Sequence, residues 1–467
     1  MISVSVQIDK NSVIPVRTQI SSAYATAIRA GQLPSGASLP SVRGLSTRLG
    51  VSPATVVAAY RELCDSGLAN SSPRSAFRVA GVVRGVERTE KAVFQLNRIE
   101  PDLRLHPVAE FAKLLAEVAV GDCSIGGYED YRGHAGLREA IADLDQEVGI
   151  ESDPANGLLI TSGAQQAISL IARSLEPGTV VACEDPCYPG ARMAFAGVGA
   201  TLVPVRMNDD GPDPESLAAI ARPGAVAAFY CCPTYGNPSG RSWSEASRLR
   251  VLEAADTGGF LIVEDDYLGD LDYLDEAPTR LAVLARRFPK ARIAHIRTFS
   301  KCLLPALRIA GVSGDPALIT RLVSLKLADD LGCSAYLQRS LARFIRLGLY
   351  HDHLERVRLH YRKRRAQLRG ALIGIKHGIE FDDPPAGLCL LGRLDESIDM
   401  SRFNAECAKR DVLISPGSDY WLHGAEGAQR FRIGFGSLSP REIPLVVTAM
   451  EQAVAAAGNS SGGFSIL

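Results

Sequence analysis

The chain has 467 residues, 46% of them hydrophobic and 22% charged, with 51 Lys and Arg against 52 Asp and Glu, a length that suggests roughly two to four domains. The near-neutral balance excludes a histone-like or membrane-coating polycation, and 43 Gly with 26 Pro excludes a collagenous or low-complexity chain. No apolar run approaches about 18 residues and the start MISVSVQIDKNS carries no signal-peptide pattern, so neither membrane insertion nor secretion is indicated and a cytoplasmic protein is expected.

Charge is uneven along the chain. Up to Ala80 eight cations face three anions, a net of +5, which leaves −6 on the other 387 residues. From Pro15 to about Ala30 the spacing puts Val16, Ile20, Tyr24, Ala27 and Ile28 on one helical face, and Gly31 with Pro34 ends the helix. Ser41 caps a second helix that runs to Leu49. After the turn Gly50-Val51, Ser52 caps a third, which has Pro53 at its first position and continues to about Asp65. Two helices joined by a tight, Gly-containing turn make a helix-turn-helix.

Gly67 to Ala80 reads as a small two-stranded wing, so residues 1–80 form a mainly α winged helix-turn-helix domain. Such a domain puts its third helix in a major groove while Arg43, Arg74 and Arg78 neutralise phosphates. On spacing alone, a small helical domain with solvated arginines is the alternative.

Residues 81–95 begin with GVVRGVERTEKAV, polar and mixed in charge, and read as a linker. Beyond it, apolar runs at Leu158–Ile160, Val180–Cys183, Thr201–Val205, Val226–Cys231, Phe260–Val263 and Arg292–Arg297 alternate with amphipathic helices. That alternation predicts an α/β domain over 96–467 built on a mainly parallel sheet. From about Tyr350 a long basic helix and strands near Leu388 and Phe431 suggest a smaller α+β subdomain. The run Tyr361-Arg362-Lys363-Arg364-Arg365 is expected to be a solvated helix face. The ten cysteines form no zinc-binding spacing, and Cys187, Cys231 and Cys232 are expected to be buried small apolar residues.

In such a sheet, ligands bind at the carboxyl ends of the strands. After Ile160 comes Thr161-Ser162-Gly163-Ala164-Gln165-Gln166, whose small residues let backbone N–H groups and a helix dipole hold an anion such as phosphate. After Val263 comes Glu264-Asp265-Asp266-Tyr267, three adjacent carboxylates that imply a cationic partner. After Arg297 comes Thr298-Phe299-Ser300-Lys301, with Arg308 seven residues further on. A strand-end lysine followed by an arginine suits a Schiff base with an aldehyde cofactor, the arginine pairing with its phosphate.

The ordered blocks SGAQQ, EDPCYPG, NPSG, EDDY, TFSK and FRIGFG resemble the signatures of fold-type I aminotransferases, which depend on pyridoxal 5′-phosphate (PLP). LPSVRGLSTRLGVSPATVVAAYRELCDSGL resembles the winged helix-turn-helix of GntR-type regulators, and the fusion resembles the MocR subfamily of transcription regulators. The resemblance implies a PLP-dependent transferase fold behind a DNA-binding domain. It makes Lys301 the residue that forms the internal aldimine and pairs Asp265 with the pyridinium nitrogen. Tyr267, helped by Asn237, would hydrogen-bond the phenolic oxygen, and Tyr188 would stack on the ring. Ser162, Gly163, Ala164, Thr298 and Arg308 would hold the phosphate, and Arg432 would grip an effector carboxylate. Tyr128 matches a position that reaches the phosphate of a partner subunit, so a homodimer is implied.

Three departures from the family pattern bear on function. Tyr235-Gly236-Asn237-Pro238 stands where many members have an HQFP-type segment, and its Asn is closer to true aminotransferases. Pro53 occupies the place of a base-reading arginine, so base contacts fall to Ser52, Thr55 or their neighbours. Ser71-Ser72-Pro73-Arg74-Ser75-Ala76 replaces the usual basic, Gly-containing wing tip. The expectation is a regulator of promoter DNA that senses a small amino compound through an external aldimine. A working aminotransferase with an accessory N-terminal domain is the alternative.

Overall fold

A computed structural model describes residues 6, 8, 9, 15–29, 33, 37–65, 68–70, 77–79, 93–121, 123–375 and 377–458, and the chain divides into two units, 1–92 and 93–467. The first unit contains α1 (Val16–Arg29), α2 (Val42–Leu49) and α3 (Pro53–Asp65). Ser41 Oγ accepts the Gly44 N–H at 3.1 Å to start α2, and the helix ends at Gly50 with φ 63°, its N–H donating to Ser46 O. That left-handed conformation is open to glycine without the Cβ penalty. Ser52 Oγ in turn accepts the Thr55 N–H at 3.1 Å to start α3. The predicted face of α1 is the observed one: Ile20, Tyr24, Ala27 and Ile28 are buried with Val56, Ala59, Tyr60 and Leu63 of α3. The Tyr24 and Tyr60 rings meet edge-on at 5.9 Å. Two short strands, β1 (Ala69–Asn70) and β2 (Arg78–Val79), pair antiparallel at the base of the predicted wing. The tip, 71–76 with Arg74, and the predicted helix stop at Gly31 and Pro34 lie outside the described residues.

The second unit opens with β3 (Phe94–Gln95), so the last two residues of the expected linker 81–95 are a strand, while 80–92 lie outside the described residues. Its large sheet comprises β4 (Leu158–Thr161), β5 (Val180–Asp185), β6 (Thr201–Asn208), β7 (Gly211–Pro212), β8 (Ala228–Cys231), β9 (Leu261–Asp266), β10 (Arg292–Thr298) and β11 (Ala310–Ser313). Their order is β4-β11-β10-β9-β8-β5-β6-β7. Strands β6, β5, β8, β9 and β10 are parallel, whereas β11 runs antiparallel to both neighbours. All six predicted runs are strands. Strand β11 escaped because Ala310-Gly311-Val312-Ser313 holds one large apolar side chain.

The smaller sheet orders β12 (Ile379–Phe381), β13 (Cys389–Leu394), β16 (Arg430–Gly434) and β15 (Ser415–Pro416), all antiparallel, while β14 (Val412–Leu413) pairs parallel with β3. The helix Leu349–Leu372 corrects one expectation. Its basic run is not a solvated face, because Tyr361, Arg364 and Arg365 are buried. Arg364 donates to Asp102 Oδ2 at 2.6 Å, Arg365 pairs with Asp383, and Arg362 Nε donates to Tyr273 O at 2.8 Å. The carboxylate and carbonyl partners come from distant segments, so an arginine run in sequence does not reveal them.

Candidate cofactor site

The carboxyl ends of β9 and β10 and the N-terminus of the helix Ala164–Ser174 border a cavity of about 230 Å³. Among its lining residues are Ala164, Tyr188, Asn237, Asp265, Tyr267, Thr298, Lys301, Arg308 and Arg432, all predicted from sequence. Cys232, expected near the site as a buried small residue, also lines it, as do Ile99, Gln165 and Ser300, which were not predicted. Ser300 belongs to the TFSK block and was readable there. Ile99 reaches the site from the N-terminal end of the unit, which no local pattern announces.

The three carboxylates of β9 separate the roles. Glu264 Oε2 lies 3.1 Å from His295 Nδ1 and Glu264 accepts the Leu281 and Ala282 N–H groups, and Asp266 lies 3.1 Å from Arg280 Nε. These are the cations that the sequence implied. Asp265 has none. Its Oδ2 accepts the Tyr230 hydroxyl at 2.6 Å, and its buried Oδ1 has no hydrogen-bond partner. Burial raises its pKa to about 6; the Tyr230 hydrogen bond opposes this and the neighbouring Asp266 adds to it. An orphaned carboxylate oxygen beside the cavity fits a ligand that brings its own N–H cation.

Lys301 Nζ donates to Ile99 O at 2.5 Å. Burial lowers its pKa, Glu100 opposes this, and the charges of Arg432 and Arg308 lower it further. A lysine shifted that way is the better nucleophile because more of it is neutral. Arg308 sits in a left-handed conformation, φ 49°, and its Nη2 donates to Ser162 O at 3.3 Å. A Cβ built on Gly163, φ 89°, would lie 2.7 Å from that guanidinium, so the close approach of the turn to Arg308 needs glycine. Thr298 Oγ1 accepts the Ser300 N–H at 3.3 Å. Guanidinium, hydroxyls and helix N–H groups gathered this way could hold an anion.

Arg432 Nη1 donates to Asn237 Oδ1 at 3.0 Å, Nη2 donates to Asn97 O, and the guanidinium lies 5.2 Å from the Tyr420 ring centre. The buried Arg432 Nε has no acceptor. With Oδ1 engaged, Asn237 presents its Nδ2 amide as a donor. Tyr267 differs from expectation, since its hydroxyl donates to Tyr235 O at 2.6 Å. The proton expected to serve a ligand is therefore engaged by the backbone.

Tyr128 is 85% exposed in the single chain and lines a cleft with Asp330, Gly332 and Cys333 that shares no lining residue with the cavity around Lys301. Cys187, Cys231 and Cys232 are buried and burial pushes their thiols up, in keeping with inert packing. In the first unit Arg43 is exposed, while the Ser52 hydroxyl lies 2.8 Å from Thr55 Oγ1 and so is partly engaged in capping α3. Arg61 is also exposed on α3 and shares a face with Ala54, a basic position the sequence reading left unassigned.

Residues 97–450 match the family described as aminotransferase class I and II, and residues 17–79 match bacterial regulatory proteins of the gntR family. The chain is 27% identical to the uncharacterized HTH-type transcriptional regulator YisV of Bacillus subtilis, over 95% of this chain and 96% of that protein. It is 26% identical to the HTH-type transcriptional regulator TauR of Rhodobacter capsulatus, over 91% and 94%. Among solved structures it resembles LysN, an alpha-aminoadipate aminotransferase from Thermus thermophilus complexed with N-(5′-phosphopyridoxyl)-L-leucine. The TM-score is 0.72 at 26% identity, covering 78% of this chain and 92% of that one.

Proposed function

The chain belongs to the aminotransferase class I and II family and carries a GntR-type helix-turn-helix domain ahead of it, the pairing of MocR-type regulators, and on that premise we propose a PLP-dependent transcription regulator that senses a small amino compound. When bound, PLP supplies an aldehyde that condenses with primary amines and a ring that withdraws electrons once its nitrogen is protonated. Asp265 Oδ1 would accept the hydrogen bond of that nitrogen. Lys301 would provide the amine, Gly163, Ala164, Thr298 and Arg308 would hold the phosphate, Asn237 Nδ2 would donate to the phenolic oxygen, and Tyr188 would cover the ring. The observation that carries the reading is the unpaired Asp265 Oδ1 in the same cavity as Lys301, beside two carboxylates that already have protein cations.

A primary amine on the effector would compete with the Lys301 amine for that aldehyde, and Ile99 O, 2.5 Å from Lys301 Nζ in this structure, would accept a hydrogen bond from the free lysine. Arg432 Nε, buried without an acceptor, is the donor left for a carboxylate on the effector. The exchange alters contacts around Lys301 and biases the arrangement of a cytoplasmic homodimer on promoter DNA. A coupling of about 1–3 kcal/mol changes DNA affinity about 5- to 150-fold.

The test incubates the PLP-loaded chain with a panel of amino acids and a keto acid, following cofactor absorbance, product formation and binding to DNA from its own upstream region. The reading expects a spectral change with altered DNA affinity and negligible turnover. Multiple turnovers without a change in DNA binding would instead identify a working aminotransferase.

A further inference from the structure

Lys326, on the helix Pro316–Asp329, belongs to none of the motifs above, yet its side chain is only 1% exposed. A buried ammonium must find acceptors for its protons. Its Nζ donates to both carboxylate oxygens of Asp330 at 2.7 Å and to Gln166 Oε1 at 3.1 Å. Gln166 Nε2 donates to Asp330 Oδ2 at 2.8 Å, and the same Gln166 Oε1 accepts the Ser162 N–H at 2.8 Å. Asp330 Oδ1 also accepts the Gly332 N–H at 3.0 Å.

These contacts leave the Gln166 amide one orientation. Reversing it would set its NH₂ against two donors, Lys326 Nζ and Ser162 N–H, and its oxygen against the Asp330 carboxylate. Gln166 thus holds the N–H of Ser162, while Arg308 holds the carbonyl of the same residue at 3.3 Å. The turn that follows leads into the N–H groups of Ala164 and Gln165, which precede the first bonds of the helix Ala164–Ser174, Gln166 and Ala167 donating to Gly163 O. An ion pair at the surface would add little stability, and burying one has a desolvation cost that its hydrogen bonds must offset. Here those bonds lead to the backbone of the anion cradle.

We propose that Lys326 is a positioning residue for the cofactor phosphate, acting through Gln166 to fix the Ser162-Gly163-Ala164 turn without touching the ligand. The proposal rests on the PLP reading above. It predicts a defect confined to the phosphate end of the cofactor, which general loosening of the fold would not produce.

The experiment titrates the full-length apo chain with PLP and, separately, with pyridoxal, which has the same aldehyde and ring but no phosphate, following the absorbance of the Lys301 adduct. Lys326→Met is expected to weaken PLP binding about tenfold while leaving pyridoxal binding within about twofold of the unsubstituted chain, as befits loss of a charged hydrogen bond that serves only the phosphate turn. Unchanged PLP affinity, or equal losses for both aldehydes, overturns the proposal. If Lys326→Met does not fold by circular dichroism, Gln166→Leu, which keeps the Lys326–Asp330 pair, must give the same phosphate-selective loss, and its absence overturns the proposal equally. An unsubstituted chain that forms no adduct with either aldehyde overturns the cofactor reading itself.

Discussion

At the scale of single residues, function here is written as unsatisfied chemistry. Asp265 is held in a buried site with one hydroxyl partner and no cation, and its pKa of about 6 stands above the ordinary 3.8. A folded value above the unfolded one means that the apo fold is favoured while the group is protonated, and that this stability is lost as pH rises from about 4 through about 6, roughly 3 kcal/mol in all. Asp265→Asn should therefore raise the unfolding midpoint of the apo chain at pH 8 and give no gain at pH 4, while weakening PLP binding. Melting curves at the two pH values with a PLP titration check this, and equal midpoints at pH 8 would contradict it. The acidic triplet was legible in sequence as a site in need of cations. Which carboxylate lacked one was not, because His295 and Arg280 reach β9 from elsewhere in the chain. The acceptor that the Tyr267 hydroxyl has in this structure, Tyr235 O, was hidden for a similar reason, since it lies on a distant loop.

At the scale of elements, what carried a local signal was readable. The helix α2 begins and ends where Ser41 and Gly50 place it and α3 begins where Ser52 does, because capping involves residues within a few positions of one another. Gly50→Ala puts a Cβ on a left-handed residue and should lower the opening free energy of α2 by about 1–2 kcal/mol. Hydrogen exchange of the α2 amides in the full chain measures it, and unchanged protection would show that the cap does not hold the helix. Arg43, exposed on α2, is expected to neutralise one DNA phosphate. Arg43→Ala should weaken DNA binding and flatten the slope of log affinity against log salt by about 0.9. An unaltered slope would remove Arg43 from the interface. Elements held by distant partners were not readable: β11 is defined by its neighbours β4 and β10, and the basic helix Leu349–Leu372 by carboxylates far along the chain.

At the scale of the whole molecule, Tyr128 is the residue that the single chain leaves unexplained, exposed and not part of the cavity's lining. The proposed homodimer, in which Tyr128 would reach the partner's phosphate, makes a specific prediction. Lys301→Ala and Tyr128→Ala chains should each bind PLP poorly alone, the first forming no adduct. Mixed dimers should regain one intact site, joining Lys301 of one protomer to Tyr128 of the other. Titration of the mixture with PLP reads this directly, and an affinity no better than that of Tyr128→Ala alone would place Tyr128 outside the partner's site.

The regulation we propose begins at one amine. The most direct test is to reconstitute the full chain with PLP, reduce it with borohydride and map the modified peptide by mass spectrometry. The structure predicts a single stable adduct on the peptide that contains Lys301, absent from Lys301→Ala. No adduct, or one on another lysine such as the buried Lys326, would contradict the account.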